Sequence, residues 1–106
     1  MKEIIKSSTN KTIKHIKSLQ IKKFRDEYGE FIIEGEKLLR EALDYKASIS
    51  MVLLSQSYME NDKHGELEAM LSKRNIPLCY AENNVFKEVC ETDTPQGTIA
   101  VAGKLE

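Results

Sequence analysis

The stretch Phe31-Ile32-Ile33-Glu34-Gly35 runs directly into Glu36-Lys37-Leu38-Leu39-Arg40-Glu41-Ala42-Leu43, and it reads as an apolar strand that breaks at a glycine and enters a helix. Gly35 supplies the backbone freedom that a sharp strand-to-helix corner requires. Leu38, Leu39, Ala42 and Leu43 recur at i, i+1, i+4 and i+5, the spacing of a core-packing helix. Glu36 with Arg40 and Lys37 with Glu41 are spaced for ion pairs on its outer face. A second corner, Thr94-Pro95-Gln96-Gly97 before Ile99-Ala100-Val101, reads as a turn that feeds a strand.

Further elements lie between and around these two corners. The continuous Met51-Val52-Leu53-Leu54 run is expected to be a strand covered on both faces. Gln56 to His64 is polar and loop-like, and Leu67, Met70 and Leu71 mark a helix ending at Arg74-Asn75-Ile76-Pro77. There Asn can take the left-handed cap, and Pro cannot continue the helix. Leu78 to Ala81 reads as a strand, Asn83 or Asn84 as the cap of a short helix carrying Val85, Phe86, Val89 and Cys90, and Thr98 to Ala102 as the last strand. Alternating strands and helices favour a parallel or mixed sheet with helices on both faces. The expected fold is α/β: a three-layer α/β/α sandwich on a mixed four-stranded sheet.

With 106 residues, 41% apolar and 31% charged, the composition is that of one globular domain, expected to span 1–106. No apolar run is long enough to cross a bilayer, and Met1-Lys2-Glu3-Ile4-Ile5-Lys6 lacks the core of a secretion signal, so a cytoplasmic location and no membrane partner are expected. Cys79 and Cys90 are too few and too far apart for a zinc cage or a redox pair, and are read as reduced thiols. His15 and His64 are each isolated. No metal site, no catalytic residue and no phosphate-cradling glycine loop after a strand is legible.

The charge is unevenly spread. Up to Arg25 the chain carries a net +7, and the remainder carries −8. A basic N-terminal helical arm, about 1–28, is therefore expected on an acidic α/β body, about 29–106, with a polyanion as the partner of the basic end. Ser7-Ser8-Thr9-Asn10 offers helix-capping oxygens. In the amphipathic segment that follows, Ile13, Ile16, Leu19 and Phe24 fall on one side, and Lys11, Lys14, His15, Lys22 and Arg25 on the other.

In order and spacing these elements resemble the N-terminal substrate-binding domain of the SpoU/TrmH family of RNA 2′-O-ribose methyltransferases, within the SPOUT superfamily. The resemblance covers nearly the whole chain. It is carried by Asn10 with Lys14-His15-Ile16 and Leu19, by Arg25-Asp26-Glu27-Tyr28-Gly29-Glu30-Phe31, by Ile33-Glu34-Gly35-Glu36-Lys37-Leu38, by Glu41-Ala42-Leu43 and by Thr94-Pro95-Gln96-Gly97. Lys11 departs from it, standing where relatives often carry Pro, so the first helix must start from Thr9 or Asn10 alone. The resemblance implies a fold like that of ribosomal and kink-turn-binding proteins. It also implies that S-adenosylmethionine and the methyl transfer belong to a knotted catalytic domain absent from this chain, through which the parent enzyme can form a homodimer.

An RNA partner, rRNA or tRNA, would be gripped by Lys and Arg through counterion release and read by polar groups that reach unpaired bases and 2′-hydroxyls. The residues expected to take part are Lys11, Lys14, His15, Lys22, Arg25, Tyr28, Glu34, Gly35, Gln96 and Gly97. Arg25 is the best phosphate ligand because its guanidinium grips bidentately. Tyr28 is the ring free to stack, whereas Phe31 belongs to a strand. The amide of Gln96 both donates and accepts, and Gly97 permits close backbone approach. Glu34 repels phosphate and is read as an acceptor for a backbone N–H or for Arg25 or Arg40. The competing reading is a protein docking or dimerisation module without affinity for RNA.

Overall fold

The computed structural model describes residues 4–60, 64–91 and 97–103. In chain order it contains strand β1 (Ile4–Ile5), helices α1 (Lys11–Ser18) and α2 (Lys22–Tyr28), strand β2 (Glu30–Glu34), helix α3 (Glu36–Asp44) and strand β3 (Ile49–Ser55). A 3₁₀ turn (Ser57–Glu60), helix α4 (His64–Lys73), strand β4 (Leu78–Ala81), helix α5 (Asn83–Val89) and strand β5 (Thr98–Gly103) follow. The strands form one sheet in the order β1-β4-β3-β5-β2. β1 and β3 flank β4 in parallel, while β5 runs antiparallel to both β3 and β2.

The sheet is mixed, as expected, but it has five strands rather than four. The additional one, β1, is two residues long, too short for any periodicity to register. It exists because β4 offers it a parallel edge, pairing Ile4 with Tyr80 and Ile5 with Ala81. The Glu82 N–H then donates to the Ile5 carbonyl at 2.9 Å.

Central strand residues alternate between two apolar clusters. Leu53, Ile99 and Val101 join Ile13, Ile16 and Leu19 together with Val85, Phe86 and Val89 of α5. Val52, Leu54 and Ala100 join Leu39 and Leu43 of α3 and Leu67 and Leu71 of α4. This double burial is why residues 51–54 read as an unbroken apolar run. Each fully buried Leu, Ile or Phe contributes about 1.5–3 kcal/mol.

Several local expectations are corrected. The N-terminal amphipathic segment is two helices, interrupted at Leu19–Ile21, where Gln20 and Ile21 N–H bond the Lys17 and Ser18 carbonyls in tighter turns. Arg25 Nη1 donates to the Leu19 carbonyl at 3.0 Å, satisfying an acceptor beside the break. Neither Asn83 nor Asn84 caps α5, since both lie within the helix and its N-cap is Glu82. Instead Asn83 Oδ1 accepts from the Ser57 N–H at 3.0 Å, tying α5 to the 3₁₀ turn. The polar stretch after β3 buries Tyr58, whose hydroxyl donates to Glu36. Leu38 is not core: it is 55% exposed while its neighbour Leu39, about 100° further round α3, takes the position against the sheet.

Candidate nucleic-acid interface

Asn10 starts α1, its Oδ1 accepting from Thr12 N–H at 2.8 Å, so a proline is not needed there. The buried stripe of Ile13 and Ile16 turns Lys11 and Lys14 to solvent. Among the described residues no carboxylate lies within ion-pair distance of either lysine. Lys17 and Lys22 are committed instead, Lys17 to Glu88 at 3.9 Å and Lys22 to Asp26 at 2.7 Å.

His15 joins α1 to β2. Its Nε2 lies 2.6 Å from Glu30 Oε1. A carboxylate only accepts, so Nε2 carries the proton. The His15 ring also packs at 4.8 Å from the ring of Tyr28, which stacks at 6.2 Å on Phe24. Tyr28 is 48% exposed and closes α2, where Gly29 takes the left-handed cap at φ 66°.

At the other end of β2 stands the corner that decided the fold. Gly35 has φ 101° and ψ 143°, a conformation open to glycine. Its N–H donates to the Thr98 carbonyl and its carbonyl accepts from Leu39, so one residue closes the sheet and starts α3. Gly97 has φ 94° and is buried, and its carbonyl accepts from Ser55 N–H at 2.9 Å. A Cβ there would sit 2.9 Å from Ser55 Oγ and 3.0 Å from Tyr58 Cβ. Gln96 lies outside the described residues.

Glu34 meets neither Arg25 nor Arg40. Both its oxygens accept from the Glu91 N–H, at 3.1 and 3.2 Å, and its carboxylate stands close to the Cys90 thiol. Burial, together with that carboxylate, pushes the Cys90 thiol up to about 12. Arg40 is bound instead by Glu36 at 2.9 Å and Glu66 at 3.1 Å. Its guanidinium is held above the ordinary value, since burial, which works against the charge, is outweighed by these two carboxylates.

The expected site residues therefore fall into two groups along one edge strand. His15 and Tyr28 sit by the start of β2, while Glu34, Gly35 and Gly97 sit by its end, separated by ~13 Å at the usual rise per residue. Arg25 bridges them, lining a groove of about 500 Å³ with Phe31, Glu34, Leu38 and Glu91. Leu38 and Glu91 were not expected here. The helical pattern drew Leu38 into the core, and nothing local to Glu91 marks it.

Residues 10–100 match the family described as the MRM3-like substrate binding domain. The chain belongs to this family. Over 98 residues the MRM3-like domain is 34% identical to the 23S rRNA (guanosine(2553)-2′-O)-methyltransferase RlmP of Bacillus subtilis (strain 168), covering 92% of this chain and 36% of that protein. It superposes on a crystal structure of an RNA 2′-O ribose methyltransferase with TM-score 0.83 and 28% identity, covering 98% of this chain and 38% of that one. An AdoMet-bound rRNA methyltransferase from Sinorhizobium meliloti gives TM-score 0.80 and 25% identity, covering 97% and 37%. The domain thus spans just over a third of the length of these relatives. The resemblance to the substrate-binding domain of SpoU/TrmH-type RNA 2′-O-ribose methyltransferases is borne out.

Proposed function

We propose that this domain binds RNA as the substrate-recognition part of an rRNA 2′-O-ribose methyltransferase, and that residues 1–106 act as a single folding unit within that enzyme. The observation that carries the reading is the pair of exposed cations Lys11 and Lys14, without an ion-pair partner among the described residues, on a helix joined by a three-residue turn to α2, whose Arg25 lines the groove along β2. Two of the relatives named above, the Bacillus subtilis and Sinorhizobium meliloti proteins, are rRNA methyltransferases, which favours rRNA over tRNA as the ligand. Phosphates would be held by Lys11, Lys14 and Arg25, and by Lys22 in exchange for its ion pair with Asp26, with His15 and Tyr28 at one end of β2 and Glu34, Gly35, Gln96 and Gly97 at the other shaping the surface that reads the RNA.

The two apolar clusters, one fed by α1 and α5 and the other by α3 and α4, support a three-layer α/β/α reading of the fold. S-adenosylmethionine belongs, in this reading, to a separate catalytic domain, which would also carry any homodimer contact. The groove beside Arg25 and the one between α3 and Ile76 lie open at the surface, whereas a transferring methyl group is better served by a water-excluded site, so neither fits that cofactor. No described helix is long and apolar enough to cross a membrane, in keeping with a cytoplasmic site of action.

The test is the affinity of the folded domain for an rRNA fragment across a salt series, read by fluorescence anisotropy. Affinity is expected to fall with log salt by a slope of about 0.7 for each neutralised phosphate of a single strand, and the double variant Lys11→Ala/Lys14→Ala to bind more weakly with a shallower slope. A folded domain that ignores RNA, or binds it independently of salt, overturns the proposal.

A further inference from the structure

We propose that the groove between α2, β2 and α3 receives one unpaired nucleobase whose edge carries N–H donors, guanine above the others, so that the domain reads a single-stranded guanosine as well as gripping backbone. This rests on the RNA reading above and names what that surface selects.

Leu38 is 55% exposed, although Leu39 and Leu43 of the same helix are 1% and 3% exposed. It faces the groove together with half-buried Phe31 and Ile32 and the buried Leu19. Apolar walls of this kind suit the faces of a base, and unpaired bases in RNA are available to be held in this way. A groove of about 500 Å³ lies within the range of small-ligand sites.

The polar groups divide the ligand between them. Arg25 spends Nη1 on the Leu19 carbonyl, and among the described residues its other N–H groups have no protein acceptor, leaving them for a phosphate. Glu34 and Glu91 repel phosphate and attract N–H donors. Both oxygens of Glu34 are taken by the Glu91 backbone N–H, so Glu34 acts as the positioning residue that fixes where Glu91 stands. Among the described residues no donor is bonded to the Glu91 carboxylate, which leaves it as the reading group. Guanine presents adjacent N1–H and N2–H donors that match a carboxylate in two bonds. Uracil offers one N–H between two carbonyls that the carboxylate repels, while adenine and cytosine each place an acceptor beside the amino group.

The experiment measures binding of short single-stranded RNAs that differ at one position, guanosine, inosine (which lacks the N2 amino group) or uridine, and of the guanosine strand annealed to its complement. The guanosine strand is expected to bind on the order of tenfold more tightly than the uridine strand, with inosine between them and the duplex weakest. Glu91→Gln, a change at an exposed side chain, is expected to bring guanosine and uridine to within roughly twofold, and Leu38→Ala to weaken the guanosine strand selectively. Equal binding of all strands with salt dependence intact, a preference untouched by Glu91→Gln, or a duplex bound as well as the single strand would overturn the groove assignment and leave the RNA reading standing. Absence of all RNA binding overturns both.

Discussion

Gly35 and Gly97 hold φ values of 101° and 94°, and each anchors a backbone hydrogen bond at the same rim of the sheet. Replacing Gly35 by Ala is expected to cost about 1–3 kcal/mol in urea denaturation, the strain of a non-glycine residue in that region. Gly97→Ala should cost strain of the same origin in the same experiment, to which is added the approach of the new methyl to Ser55 Oγ at 2.9 Å. Cys90 makes a separate prediction. Its thiol is raised from 9.0 to about 12, so the folded state keeps a proton that the unfolded chain releases above pH 9. Its stabilising contribution is complete below pH 9 and is lost as pH rises towards 12, so stability should fall more steeply over that window in the parent domain than in Cys90→Ala. Glycine at both corners was visible in the sequence. That Gly97 lies buried under Tyr58 was not, since the contact depends on the 3₁₀ turn following another strand.

At the scale of elements, α1 is held by a cap at one end and a stripe against the core along its length. Asn10→Ala removes the acceptor of the Thr12 N–H and should cost about 1 kcal/mol. Ile13→Ala removes a fully buried side chain and should cost about 2–5 kcal/mol, read from the shift in thermal or denaturant midpoint at unchanged m-value. The first helix was legible because its apolar spacing is regular, but its break at Leu19 was not. The turn is stabilised in part by Arg25 reaching back to the Leu19 carbonyl, a contact six residues apart that periodicity does not encode. The same blindness applied to α5, where an Asn at the expected cap position serves the 3₁₀ turn instead. Asn75, by contrast, takes φ 58° after α4 as expected, because a helix C-terminus sets its own local demand.

For the whole molecule, the strand order puts β3 and β5 inside the sheet and β1 and β2 at its edges. Native-state hydrogen exchange should therefore find the slowest amides within Val52–Leu54 and Ile99–Val101, with those of the two-residue β1 exchanging well before them. Equal protection of β1 and β3 would contradict this topology. The edge position of β2 also governs the candidate interface, since it leaves one flank of the strand for α2 and the groove. Two sets of residues far apart in sequence, around Arg25 and around Glu91, meet across it.

Alternation of apolar runs with helical spacing and glycine at the corners determined the α/β class and the position of most elements, because each depends on contacts within a few residues. They also carried the resemblance that the family match bears out. The tertiary structure alone decided that a fifth strand forms, that Leu38 faces outward, and that Glu34 holds the backbone of Glu91 rather than an arginine. Each of those outcomes depends on which surface another part of the chain brings alongside, and local sequence does not specify that surface.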